Sequence, residues 1–185
     1  MPEVLLKEEH YREELIDGVT IMAPAPSESH NNIMANILVI FRNYLRGKHC
    51  RAYGDNIDVF LDDNNHFRPD ASIICDRSKI KGDGIHGAPD LVAEILSRTT
   101  SKNDRGVKMK AYERFGVKEY WIVDPVNRSI EVYLNTKDGF VLDNIYAEKN
   151  PARDFDSEEP LLKLKVSLYD DLIIDVRDVF SDMIY

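Results

Sequence analysis

Hydrophobic and polar positions change period several times along this chain, and each change predicts an element. Residues 12–16 and 19–22 flank Asp17-Gly18, a dipeptide that accepts the positive φ angles of a two-residue turn, so the pattern opens on a β-hairpin. Ala23-Pro24-Ala25-Pro26 then interrupts regular structure. Ser27 or Ser29 can cap a helix beyond it, whose apolar positions Ile33, Ile37, Ile40, Phe41, Tyr44 and Leu45 recur at helical spacing until Gly47 ends it.

From Arg51 to Leu61, the alternation of Ile57, Val59 and Leu61 with Asn56 and Asp58 predicts one strand, closed by a turn at Asp62-Asp63-Asn64-Asn65. Ala71 to Cys75 predicts another strand, and Gly82, Gly84 and Gly87 mark a loop. Leu91 to Leu96 is an apolar run broken by one acid, Glu94. Val107, Ala111 and Phe115 share a stripe, which predicts a helix from about Asp104 to Phe115 stopped by Gly116. Strands follow at Glu119–Asp124, Ser129–Leu134 and Phe140–Leu142, as in an antiparallel meander. The polar stretch from Ala147 to Pro160 is a predicted loop, after which residues 161–185 pack back onto the sheet. This order predicts an α/β fold: a mixed central sheet flanked by helices, with an N-terminal β-hairpin.

With 185 residues, 43% of them hydrophobic, the chain can bury one substantial core, so residues 1–185 are expected to form a single domain. The formal charge of -9 repels a polyanion unless a metal ion or a local basic patch intervenes, which argues against a protein that coats nucleic acid. Cys50 and Cys75 show no zinc-ligand or disulfide-framework spacing and are expected to be reduced, buried thiols. Residues 1–11 lack a signal-peptide core and no run reaches the length of a membrane span, so the expectation is a soluble, cytoplasmic protein without membrane association.

Two acids carry the chemistry. Asp70 follows Pro69 at the head of an apolar strand, and Glu94 interrupts a second apolar strand 24 positions later. A carboxylate buried alone costs several kcal/mol or takes up a proton, so acids embedded in apolar strands usually meet a cation or a hydrogen-bond donor. A magnesium ion, which prefers a few carboxylates plus waters, would satisfy both acids and suits phosphodiester hydrolysis. The plain alternative for each acid is a strand-end residue facing solvent or an Arg or Lys.

Ordered blocks extend this pair: Arg68-Pro69-Asp70, Ala88-Pro89-Asp90-Leu91-Val92-Ala93-Glu94-Ile95-Leu96-Ser97, Asp104-x-x-x-Lys108-x-x-x-Tyr112, and Gly116 through Pro125. Upstream lie Glu14-Leu15-Ile16-Asp17-Gly18 and Ser27-x-x-His30. In these blocks the chain resembles the Uma2 family, also called DUF820, over about residues 11 to 180. The resemblance implies a restriction-endonuclease-like fold and a nuclease site of the PD-(D/E)XK type. Asp70 and Glu94 then correspond to the two metal-binding acids, and Leu96 stands where that motif has its lysine.

Lys108, on the helix after the second acid, is the replacement this implies, orienting the attacking water and stabilising phosphate charge. On its own it reads as an exposed helix lysine paired with Asp104 four residues earlier. Lys110 is the rival, but two positions along a helix turn it roughly 200° away. His30 could orient a phosphate or a metal-bound water, with Glu28 a further acid nearby, although a residue at a helix start often serves only the cap or the dipole. Ser97, Arg98 and Ser101 form a polar loop after Glu94 that could contact phosphate. Tyr120 and Trp121 read as core residues.

The expectation is a Mg2+ (or Mn2+)-dependent endonuclease that hydrolyses DNA, with Asp70 and Glu94 on the metal and Lys108 and His30 completing the catalytic set. The same site could address RNA, because such a centre reads phosphate before base. A catalytically silent binding or assembly module on the nuclease fold is the alternative, motivated by Leu96 and the net charge. A homodimer is also expected, with Leu172-Ile173-Ile174 serving either that contact or the core.

Overall fold

In a computed structural model, which describes residues 12–23, 25–148 and 161–183, Asp17 and Gly18 take φ of 47° and 79° and close the predicted hairpin between β1 (Arg12–Ile16) and β2 (Val19–Ala23). The N-terminal residues 1–11 and most of the predicted loop before Pro160 lie outside the described residues. Helix α1 (Glu28–Leu45) starts as its serine predicts, with the Ser27 side chain accepting from the His30 backbone N–H, and its stripe of Ile33, Ile37, Phe41 and Leu45 is buried.

The segment expected as one strand from Arg51 to Leu61 is two. β3 (Arg51–Gly54) and β4 (Val59–Asp62) belong to different sheets, because Asp55 to Asp58 carry the chain from one to the other. After them come β5 (Asn65–Phe67), β6 (Ala71–Ile74), β7 (Ile85–His86) and β8 (Leu91–Ile95), then the short α2 (Ser101–Asp104) and α3 (Val107–Arg114). β9 (Glu119–Asp124), β10 (Ser129–Thr136) and β11 (Gly139–Ala147) form the predicted meander, and β12 (Lys163–Lys165), β13 (Ile173–Asp175) and α4 (Val176–Val179) complete the order.

These strands form the expected mixed central sheet and two further, smaller sheets. The central sheet runs β11-β10-β9-β8-β6-β3, antiparallel except for β8 and β9. A five-stranded sheet runs β2-β1-β5-β4-β7, and β12 pairs with β13. The alternating pleat gives the central sheet two apolar faces. Trp121 and Val123 of β9 pack with Phe41 of α1 and with the C-terminal segment, whereas Tyr120 and Ile122 pack with Tyr112 of α3 and Phe67 of β5. The C-terminal segment returns to the core as predicted: Leu172 and Ile174 are buried, and Ile173 faces solvent. No helix among the described residues is long and apolar enough to cross a membrane.

The cysteines are not free thiols. Cys50 and Cys75 form a disulfide with Cα atoms 4.0 Å apart. Arg51 pairs with Ile74, so the two cysteines face each other at the end of the antiparallel β3–β6 ladder, a proximity created by strand pairing and invisible in their spacing. Asp90 braces the same region. One carboxylate oxygen accepts from the Cys75 N–H at 2.7 Å, the other from Lys118 Nζ at 2.7 Å, and its carbonyl accepts the N–H groups of Lys118 and Glu119. This explains the acid that opens the Asp90–Glu94 block without any chemical role.

Glu119 is fully buried at the start of β9, where its carboxyl accepts from the Trp121 indole and from both the N–H and the hydroxyl of Ser167. Burial pushes this carboxyl up, against the opposing pull of those donors. Glu119→Gln points an N–H donor at a group of donors and should lower the unfolding free energy by about 1–3 kcal/mol. Because the folded chain holds the Glu119 proton more tightly, wild-type stability should fall as pH rises from about 4.3 through the raised folded value. Urea unfolding across that range should show a shallower slope in the variant; equal stability and equal slope would refute this account.

Candidate active site

The ladder between β6 and β8 sets the first two groups. Ala71 pairs with Ala93, so Asp70 and Glu94 occupy the next antiparallel position, side by side across neighbouring strands. Leu91, Ala93 and Ile95 join the core against α1 while Val92 joins the core against α3, and the two-residue period places Glu94 on the face of Val92. Asp70 Oδ2 accepts from the Ile95 backbone N–H at 2.7 Å and lies 3.1 Å from His30 Nε2. His30 thus reaches from the first turn of α1 to hold Asp70 in place.

The third group arrives from α3. Lys108 Nζ stands 2.8 Å from Glu94 Oε1, 3.1 Å from Glu14 Oε1 and 3.6 Å from Asp104 Oδ1. The helix expected across 104–115 is broken at Gly106, where an added Cβ would lie 2.6 Å from the Lys102 carbonyl oxygen. The break separates the acid at the end of α2 from the lysine in α3. The buried stripe of α3 is Lys108, Ala111 and Tyr112; Val107, expected on it, is exposed. Tyr112 donates its hydroxyl to Glu94 Oε1 at 2.8 Å, so Lys108 and Tyr112, four residues apart, both address one carboxylate oxygen.

The electrostatics follow from this crowding. Burial alone would push the Lys108 ammonium down, yet Glu14, Glu94, Tyr112 and Asp104 more than offset it and hold the lysine well above its ordinary value. Burial pushes the Glu94 carboxyl well up; Lys108 opposes the shift, while Asp70, Asp104 and Glu14 add to it. Asp104 is raised, again by burial first. Three acids around one ammonium carry more negative charge than it can neutralise, so the cluster favours an additional cation or proton.

Glu14, His30, Asp70, Glu94 and Lys108 line one cavity of about 440 Å³. The side chains singled out from the sequence, His30, Asp70, Glu94 and Lys108, are therefore neighbours around one cavity. Of the loop residues considered for phosphate contact, Ser97 and Arg98 also reach this cavity. Lys110 and Glu28 are exposed, and Tyr120 and Trp121 are fully buried core residues. Glu14, Asp104 and Tyr112 were not anticipated as part of the site. The four-residue spacing of Asp104, Lys108 and Tyr112 was the available signal for two of them; Glu14 sits in a hairpin strand whose place beside Lys108 only the packing of the two sheets decides.

Among the described residues no group of three or more His, Cys, Asp or Glu side chains is arranged to hold a metal ion. The pair Asp70 and Glu94 nevertheless fits a hard cation that keeps several waters: no described hydrogen bond reaches Asp70 Oδ1 or Glu94 Oε2, and both residues face the same cavity. Lys108→Ala leaves the buried Glu94 and Asp104 and the half-buried Glu14 without their common counter-ion and should cost about 3–5 kcal/mol of stability, whereas Lys110→Ala should leave stability unchanged. Denaturant unfolding of the two variants checks this; similar losses in both would contradict the buried cluster.

Comparison with known proteins gives a consistent pattern. The model of the Uma2 family, described as "Putative restriction endonuclease", matches residues 2–169. An uncharacterized protein of Synechocystis sp. is 30% identical over 141 residues, covering 74% of this chain and 74% of that protein. Among solved structures, a protein from Anabaena variabilis described as a "putative nuclease belonging to DUF820" superposes with a TM-score of 0.68 at 21% identity, over 91% of this chain and 89% of that one. At that identity the likeness establishes the fold.

Proposed function

Because this chain belongs to the Uma2 family, we propose that its acid–lysine pocket is the active site of a metal-dependent endonuclease that hydrolyses DNA phosphodiester bonds. The observation that carries this reading is the meeting of Asp70, Glu94 and Lys108 in one buried pocket from three separate elements. Asp70 and Glu94 would hold Mg2+ (or Mn2+), which supplies, when bound, an activated water and neutralisation of charge on the phosphoryl oxygens.

The protein's own groups divide the remaining work. The carboxylates around Lys108 favour its ammonium form, and as a cation it offers positive charge to a phosphate oxygen and a donor to orient water. It would do from α3 what a lysine at position 96 would do from the end of β8, where Leu96 stands instead. Tyr112 holds Glu94, and the Ile95 N–H and His30 hold Asp70, so both carboxylates are positioned before any substrate arrives.

One observation favours a catalytically silent module: the Lys108 ammonium is already engaged by Glu14, Glu94 and Asp104. Incubation of the purified protein with plasmid and linear DNA in Mg2+ or Mn2+ separates the readings. Cleavage should appear with metal and fall at least about a hundredfold in Asp70→Asn and Glu94→Gln, since removing one precisely placed charge stabiliser costs roughly 10²–10³ in rate. Calorimetric titration with the same metals should show binding that Glu94→Gln weakens. No cleavage above the variants, together with no metal binding, would leave the silent module.

A further inference from the structure

We propose that this site takes an unpaired DNA strand rather than an intact duplex, seating one nucleotide in the cavity above Asp70 and Glu94; this rests on the nuclease reading. The first reason is depth. The side chains of Glu94, Lys108 and Asp70 are 3%, 5% and 10% exposed, so a reacting phosphate must descend to them. The cavity above them holds about 440 Å³, within the range of about 300–1,000 Å³ that encloses a single small-molecule-sized group. In a duplex each phosphate is tied to a stacked, paired base that cannot follow it into a cavity of this size, whereas an unpaired nucleotide can.

The second reason is the chemistry of the rim. Val126 is 79% exposed at the cavity mouth, yet it is held there, because Asp124 Oδ1 accepts from the backbone N–H groups of Val126 and Asn127 at 2.8 and 3.1 Å. Pro26 and Pro125 stand at the same cavity. A fixed apolar rim suits the face of a base or sugar, and base faces are free only where a strand is unpaired and unstacked. Arg98 shares the cavity and, unlike Arg68, which Asp58 holds, is in no ion pair among the described residues, so it can meet a phosphate.

The third reason is continuity. A second cavity shares Glu14 and Arg68 with the first and extends to His66. The His66 ring stacks on Phe60 with centroids 4.4 Å apart, and Phe60 on His86 at 4.9 Å. The second cavity is thus bordered by one ring of an aromatic stack, the kind of surface on which an unpaired base can lie.

Three end-labelled DNAs of one sequence, a single strand, a blunt duplex and a duplex with a single-stranded extension, incubated with the protein in Mn2+ or Mg2+, test this. The single strand should be cut at least tenfold faster than the blunt duplex, and the third substrate should be cut in its extension. Val126→Asp should raise the KM for the single strand at least tenfold while calorimetric metal binding stays as in wild type. Internal cleavage of the blunt duplex as fast as the single strand overturns the inference and leaves the nuclease reading standing. If no DNA is cleaved, the nuclease reading falls and fluorescence anisotropy of the same oligonucleotides in the same metal ions decides. Single-strand binding at least tenfold tighter than duplex binding, and weakened by Val126→Asp, supports strand selectivity; equal or absent binding overturns it.

Discussion

One ammonium group holds the working end of this molecule together. Lys108 lies among carboxylates from β1, β8 and the end of α2, and each would be costly to bury without it. The same contacts tie the five-stranded sheet to the central sheet, because Glu14 belongs to the first and Glu94 to the second. Removing the cation would leave the acids to repel one another and would loosen the seam along which the pocket opens.

The two faces of the central sheet divide the labour. On one, Trp121 packs edge-on against Phe41 and the C-terminal segment closes an apolar layer that contains no acid of the site. On the other, space that could hold another apolar side chain holds Glu94, so α3 meets the sheet with Lys108 and Tyr112 as well as Ala111. The rigid layer offsets the cost of the polar one. Asp90 and the Cys50–Cys75 disulfide brace the strand ends remote from Asp70, and His30 and the Ile95 N–H brace the near end.

The net charge of -9 takes a local form around the pocket. Glu14, Asp70, Glu94 and Asp104 gather at its floor, where a cation is wanted, while Arg98 and the apolar Val126 stand at its mouth. A polyanion approaching such a site is repelled by the floor unless a cation screens it, and is offered a guanidinium at the rim. In the proposed nuclease, the guanidinium at the rim would meet the strand before the reacting phosphate descends to the metal at the floor.

Local chemistry made much of the fold legible. Asp17-Gly18 specifies a hairpin turn, Ser27 and the Ile33–Leu45 stripe specify α1, and the meander after Gly116 follows from alternation, because each depends on backbone preferences and on one buried face. Asp70 and Glu94 stood out for the same local reason, as acids in apolar strands. What the chain order could not reveal was which strands become neighbours: that Arg51–Leu61 splits between two sheets, that Cys50 meets Cys75, and that Glu14 crosses from the hairpin to Lys108. Nor could periodicity distinguish a lysine on a solvated stripe from one on a buried stripe; Lys108 and Val107 exchange the places their polarity suggests. Periodicity and turn residues act over a few positions and so belong to the sequence. The surroundings of a buried charge are fixed by contacts between distant segments, and only the tertiary structure decides them.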